Sequence, residues 1–108
     1  MNVIPRELVE YETESGRCPF SEWLGGLKDV AARAIIRKRL NRIRMGNFGY
    51  ARSVGEGVFE LKIDFGPGYR VYYGLDGDTL VVLLCGGDKG SQERDIRKAN
   101  EYWQDYRR

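Results

Sequence analysis

Residues 57–89 read GVFELKIDFGPGYRVYYGLDGDTLVVLLCGGDK, and this stretch decides the fold. It holds three strand-like runs, separated by turn signals at Gly66-Pro67-Gly68 and at Asp76-Gly77. The first run alternates apolar and polar residues, and this period of two predicts a strand covered on one side only. The third run, Leu80 to Cys85, is apolar throughout, which is typical of an interior strand buried on both faces. The stretch therefore predicts three neighbouring antiparallel strands.

The alternation also predicts how the first two strands pair. A three-residue loop at Gly66-Pro67-Gly68 places Asp64 opposite Arg70. It also places Lys62 opposite Tyr72, whereas a slip by one residue would turn polar side chains toward the core. One sheet face is then expected to carry a polar set, with Lys89 emerging where the third strand ends. The set comprises Glu60, Lys62, Asp64, Arg70 and Tyr72.

The segments before this stretch predict one strand and two helices. Arg6 to Glu14 combines acidic residues with β-forming residues, which indicates an edge strand. Pro19 suits the first position of a helix, and the paired glycines that follow make this helix short. Asp29 is an expected N-cap for a second helix that runs to about Met45. Residues 48–54 are interpreted as a loop or a short strand.

The segment after it predicts a last helix, capped by Ser91. Its apolar stripe is formed by Ile96, Ala99, Trp103 and Tyr106. Trp103 and Tyr106 are interpreted as core, although exposed parts of them could receive a partner helix. The whole chain, residues 1–108, is therefore expected to be a single α+β domain. Two N-terminal helices and a C-terminal helix pack against one face of an antiparallel-rich sheet of about four strands.

Composition excludes several classes of protein. No run approaches the roughly 20 apolar residues of a membrane span, and the N-terminus has no apolar signal region, so a cytoplasmic protein is expected. The chain has no histidine and no CxxC pair, which argues against a zinc site, and no metal or organic cofactor is implied. Any acid–base chemistry must therefore work without imidazole. Cys18 and Cys85 are expected to stay unpaired, since Cys85 lies in the buried strand.

The net charge of +2 says little, but its distribution is uneven. The segment 33–44 has six basic residues and no acidic one: Arg33, Arg37, Lys38, Arg39, Arg42 and Arg44. Such a helix face often serves solubility alone. It can also bind a phosphate backbone through many weak contacts that do not depend on sequence, and Arg37 and Arg44 are candidates for such contacts.

Three segments resemble a known protein family. PFSEWLGGLKD, GNFGYARSVGEGVFELKIDFGPGYRVYY and LLCGGDKGSQERDIRKA are similar to the RelE/ParE superfamily of bacterial toxins, most closely to its HigB-like addiction module killer branch. The resemblance covers roughly Pro19 to Ala99. It implies the toxin of a type II toxin–antitoxin pair, bound by a cognate antitoxin. RelE-like members cut messenger RNA in the ribosomal A site, whereas ParE-like members inhibit DNA gyrase, and the shared fold does not decide between them.

The resemblance carries roles onto particular residues. Arg70 would hold the scissile phosphate, a task that suits a fixed guanidinium. The base would be Lys62 or Glu60, because arginine cannot act as one. Lys89 would be the acid or a second phosphate clamp. Gln92 and Tyr72 would contact substrate, with Tyr72 stacking on a base.

Some features depart from the family pattern. Members of the branch more often have arginine where Lys62 stands and aspartate where Tyr50 stands, and some superfamily members use a histidine that this chain lacks. Simpler interpretations of the polar residues also exist. Asp64 and Arg70 could form a plain cross-strand ion pair, and Lys62 and Glu60 could simply be solvated. Three functions therefore remain open: a ribosome-dependent ribonuclease, a gyrase inhibitor, and a degenerate toxin that retains antitoxin binding alone.

Overall fold

The computed structural model describes residues 4–108 as five strands and three helices around one sheet. The strands are β1 (Glu7–Glu10), β2 (Ala51–Ser53), β3 (Val58–Ile63), β4 (Tyr69–Asp76) and β5 (Leu80–Asp88). The helices are α1 (Pro19–Gly26), α2 (Val30–Arg44) and α3 (Gln92–Arg107), and a short 3₁₀ turn at Lys89–Ser91 joins β5 to α3.

The sheet has five strands in the order β1-β5-β4-β3-β2 and is mixed. β1 runs parallel to β5, so the predicted edge strand is confirmed but is shorter than Arg6 to Glu14. The other pairs are antiparallel. The expected count of about four strands is one too low, because residues 51–53 do form a short second edge against β3.

The helices lie on both faces of the sheet, and the expectation of one covered face is wrong. α1 and α2 pack on one face over Leu61, Val71 and Leu83. α3 packs on the other face, where Ala99 and Trp103 meet an apolar surface that includes Val58, Tyr72, Val82 and Leu84. The apolar stripe of α3 needs such a surface, and β5 supplies it because its side chains are apolar on both sides.

The β3–β4 register differs from the predicted one by two residues. Ile63 pairs with Tyr69, and Lys62 pairs with Arg70, so the connecting loop spans residues 64–68. The loop contains a turn in which the Gly68 amide donates to the Phe65 carbonyl at 3.0 Å, and Gly68 has a φ of 81° that favours glycine. The Asp64–Arg70 pairing is therefore wrong. The two-residue shift nevertheless keeps each side chain on its predicted face.

The predicted helix starts are confirmed at all three helices, but the third lacks the expected capping hydrogen bond. Pro19 opens α1, and the Asp29 side chain accepts a hydrogen bond from the Ala32 amide at 3.1 Å, as an N-cap does. Ser91 occupies the N-cap position of α3, but its side chain does not cap the helix. The Ser91 hydroxyl donates to Asp95 instead, while Asp88 accepts from the Gly90 amide at 2.8 Å and caps the 3₁₀ turn.

A tryptophan packs against a glycine on each face of the sheet. A Cβ atom on Gly74 of β4 would lie 2.4 Å from Trp103, and one on Gly86 of β5 would lie 2.2 Å from Trp23. Gly86 and Gly87 both lie within β5, so the strand continues through this pair. Both indoles therefore need a residue without a side chain beneath them.

Both cysteines, Cys18 and Cys85, are free thiols, as expected. Burial, with a smaller contribution from Asp95, raises the pKa of the Cys85 thiol to about 12. Among residues 4–108, no helix combines the length and the apolar character needed to cross a bilayer.

Candidate functional site

A buried carboxylate, Glu60, organises the polar residues on the α3 face. Glu60 is 2% exposed and lies in the middle of β3. Its neighbours across the sheet are Arg52 of β2 on one side and Tyr72 of β4 on the other. Arg52 Nε donates to Glu60 Oε1 at 2.9 Å, and the Tyr72 hydroxyl donates to Oε2 at 3.0 Å. Gln92 Nε2, from the first turn of α3, donates to the same Oε2 at 2.8 Å. Three strands and one helix therefore converge on one carboxylate.

These hydrogen bonds control the protonation of Glu60. Burial raises the pKa of the Glu60 carboxyl, but the hydrogen bonds from Gln92, Arg52 and Tyr72 outweigh it, and the pKa lies below its usual range. The carboxylate is therefore held ionised with its oxygens occupied. This arrangement suits an anchor for its donors better than a proton acceptor, which works best with a pKa near neutrality.

Tyr72 belongs to the core as much as to the site. Its side chain is fully buried, and burial together with the charge of Glu60 raises the pKa of its hydroxyl. A ring without exposed surface offers no face to a base, so the structure does not provide the expected stacking platform. Tyr72 instead positions Glu60 through its hydroxyl group.

Arg70 lies beside this carboxylate and is held in place. Its Nη1 donates to the Gly68 carbonyl at 2.7 Å, and its Nε lies 4.0 Å from Glu60 Oε2. The Arg70 side chain is 7% exposed, and its buried Nε has no hydrogen-bond partner among residues 4–108. A cation fixed in this way keeps part of its donor capacity unused.

The two lysines approach Arg70 from different elements. Lys62 is opposite Arg70 across the β3–β4 pair, and the alternation places its side chain on the same face. Lys89 is exposed in the 3₁₀ turn after β5. A Cβ atom on Gly68 would lie 3.9 Å from Lys89 Cβ and 2.9 Å from Arg70 Nη1, so Gly68 lets the two residues approach. The three predicted cations therefore lie at one end of the sheet.

Two clefts border this group, which we call the polar cluster (Arg52, Glu60, Lys62, Arg70, Tyr72, Lys89 and Gln92). One has a volume of about 550 Å³ and lies where α3 begins, lined by Lys89, Gln92, Arg94 and Arg97 among others. A smaller one of about 260 Å³ is lined by Arg39, Tyr50, Lys62 and Asp64. Cationic side chains outnumber the acidic ones at both clefts, where the acidic residues are Asp88, Glu93 and Asp64, and this favours an anionic ligand.

Two members of this region escaped the sequence reasoning. Arg52 lies in the three-residue strand β2. The sequence predicts only a loop or a short strand there, and no pattern in so short a segment predicts that Arg52 lies opposite Glu60. Asp95 is 9% exposed and lies over Gly87, where a Cβ atom would be 1.8 Å from its Oδ2. The Gly86-Gly87 pair was the available signal, because a glycine in a strand marks close approach of another group.

Arg37 and Arg44 are not part of the polar cluster. Both are exposed on α2, which covers the opposite face of the sheet. They line a groove of about 370 Å³ between α1, α2 and β1, whose apolar lining includes Leu8, Phe20 and Leu40. Arg39 lies nearer, since its Nη1 donates to the Lys62 carbonyl at 3.2 Å. The part of the basic helix face that carries Arg37 and Arg44 is therefore a separate surface, whereas Arg39 reaches the strand that carries Lys62.

Comparison with known proteins gives the class of the chain. Residues 22–104 match the family described as "Phage derived protein Gp49-like (DUF891)", and the chain belongs to this family. The family is one of the toxin families that resemble RelE and the addiction modules. The chain is also 51% identical over 80 residues to a Haemophilus influenzae protein described as "Uncharacterized protein", a match that covers 74% of this chain and 81% of that protein.

Proposed function

We propose that the protein is the toxin of a type II toxin–antitoxin pair, of the HigB-like kind, and that it cuts messenger RNA on the ribosome. A cognate antitoxin protein neutralises it in the cytoplasm. Cleavage uses the side chains of the chain itself, with no metal ion or organic cofactor. Membership of the Gp49-like family supports the toxin assignment, and the polar cluster supports the nuclease assignment.

One observation carries the nuclease proposal. The Arg70 guanidinium is fixed by the Gly68 carbonyl, lies next to Glu60, is opposite Lys62 and is close to Lys89. A preorganised cation at a site with few water contacts stabilises developing negative charge more strongly than a mobile surface cation does. The phosphorane-like transition state of RNA cleavage carries such a charge.

The proposed reaction is an internal transesterification of RNA. The 2′-oxygen forms a bond to phosphorus while the bond to the 5′-oxygen breaks. The proton of the 2′-hydroxyl passes to a base, and the 5′-oxygen receives a proton from an acid. Arg70 binds the non-bridging oxygens, and Lys89 supplies the proton or a second contact. The occupied oxygens of Glu60 favour Lys62 over Glu60 as the base, in the neutral amine form that accepting the proton requires.

The burial of Arg70 favours a second candidate function. With its side chain 7% exposed and one Nη group bonded to the Gly68 carbonyl, Arg70 also fits the role of a structural residue beside Glu60. In that case the protein retains antitoxin binding without cleavage. Full complex formation with an antitoxin, combined with no growth inhibition on induction, would support this candidate. The gyrase alternative differs again, because DNA breakage by purified gyrase would then not depend on Arg70.

The deciding experiment is primer extension on translated messages. Wild-type protein is expected to produce new cleavage ends, and Arg70→Lys is expected to reduce them by about 100-fold or more, because lysine lacks the second donor of the fork. Arg70→Lys retains the charge beside Glu60, so it preserves the fold better than Arg70→Ala does. Arg17→Lys is the matched control, because Arg17 also pairs with a glutamate, Glu22, but is far more exposed. Absence of cleavage ends with the wild type would refute the proposal.

A further inference from the structure

Arg52 combines a fixed orientation with a large exposed surface. Its Nε is held by Glu60 Oε1 at 2.9 Å, while its side chain is 53% exposed and that of Glu60 is 3% exposed. The hydrogen bond to Glu60 uses Nε, and neither Nη group donates to another residue among residues 4–108. They form the outer edge of a planar donor fork that fits phosphate.

The cationic groups that face Glu60 outnumber its single carboxylate. One carboxylate faces two guanidinium groups, those of Arg52 and Arg70, and Lys62 is opposite Arg70. Neutralising Glu60 alone would require one cation. Arg52 helps to lower the pKa of Glu60 through its hydrogen bond and its charge, and it does so with Nε alone, which leaves both Nη groups available to a ligand.

We infer that Arg52 is a substrate-binding residue that grips a phosphate of the RNA next to the one held by Arg70. This inference rests on the proposed function. Glu60 acts as a shared brace: it orients the buried Arg70 on one side and the exposed Arg52 on the other. Arg52 lies on the edge strand β2, where a nucleic acid strand can reach it without any movement of the protein.

The test measures affinity of the full chain for purified bacterial ribosomes programmed with a messenger RNA that carries a 2′-O-methyl group in the A-site codon, which blocks cleavage. Binding is followed at several potassium chloride concentrations for wild type, Arg52→Gln and Arg17→Gln. The two variants change the net charge equally, and each removes an arginine that is paired with a glutamate.

Arg52→Gln is expected to weaken binding by about tenfold, as for one lost charge-assisted contact. The slope of log affinity against log salt is expected to fall by about 0.7, the value for one phosphate contact on a single strand. Arg17→Gln should match the wild type in both quantities. A merely structural role of Arg52 would alter thermal stability but leave the salt slope unchanged.

A double variant, Arg52→Gln with Glu60→Gln, covers the case in which Arg52→Gln alone destabilises the fold. It removes both charges, so no buried carboxylate is left without its partner. Its salt slope should again be lower than that of Glu60→Gln by about 0.7. Wild-type binding with an unchanged slope in both Arg52 variants would overturn the inference and leave the proposed function standing. Failure of the wild type to bind programmed ribosomes would overturn the proposed function as well.

Discussion

The two faces of the sheet use the same strands but are stabilised differently. On the face covered by α1 and α2, buried side chains such as Leu61, Val71 and Leu83 form a continuous apolar core. On the face covered by α3, the apolar contacts of Ala99 and Trp103 give way to Glu60 and its donors. The sheet surface of one face is therefore apolar throughout, while the other combines a core at one end with a charged group at the other. A small domain can therefore hold a charged site in part of one helix–sheet interface and keep the rest of that interface apolar.

The largest expected effect comes from removing the tryptophan that packs on each face, Trp103 on the α3 face and Trp23 on the other. Trp103→Ala is expected to destabilise the protein by about 3–5 kcal/mol, because a buried indole leaves a cavity above Gly74. Trp23→Ala, on the other face, should cost less, because Trp23 is only partly buried. Urea unfolding monitored by circular dichroism measures both. Equal losses would contradict the conclusion that the two indoles differ in burial.

The next effect concerns the charged part of the α3 face. Glu60→Ala is expected to destabilise by about 3 kcal/mol, because Arg70 and Tyr72 would remain buried without their acceptor. Glu60→Gln should cost less, since an amide oxygen still accepts a hydrogen bond. Glu22→Ala is the control: it removes an exposed partner of Arg17 and should leave the unfolding midpoint unchanged. A Glu60→Ala variant as stable as the wild type would contradict the role of Glu60 as a brace.

The smallest expected effect is a loss of stability at acid pH, caused by protonation of Glu60. Because the pKa of Glu60 is lower in the folded protein, its ionisation stabilises the fold above the unfolded value of about 4.3. This contribution is lost as pH falls from about 4.3 through the folded pKa. Urea midpoints measured between neutral pH and acid should therefore fall more steeply for wild type than for Glu60→Gln. Parallel curves would show that Glu60 contributes nothing to acid unfolding.

Sequence patterns predicted the parts of this comparison that depend on local chemistry. Pro19 and Asp29 marked the starts of α1 and α2 because proline and aspartate act within one helical turn. The period-two alternation placed Glu60 and Arg70 on one face, and a register error of two residues left that result intact.

The remaining features depend on contacts between distant segments. No local signal says which face α3 covers, so the burial of Glu60, Arg70 and Tyr72 was not predicted. A three-residue strand is too short for a periodic pattern, and Arg52 was missed with it. The loop at 64–68 was predicted two residues too short because its glycines fit several turn lengths.

The parallel pairing of β1 with β5 joins two strands that lie far apart in the sequence. Glu7 pairs with Leu80 and Glu10 with Leu83, so this contact closes a loop that contains most of the described residues. Closure entropy grows with loop length, and strand pairs distant in sequence slow folding. β1 finds its partner only after β5 has been synthesised and ordered. Translation through β5 must therefore precede completion of the sheet, which delays the appearance of an assembled molecule beside the ribosome that makes it.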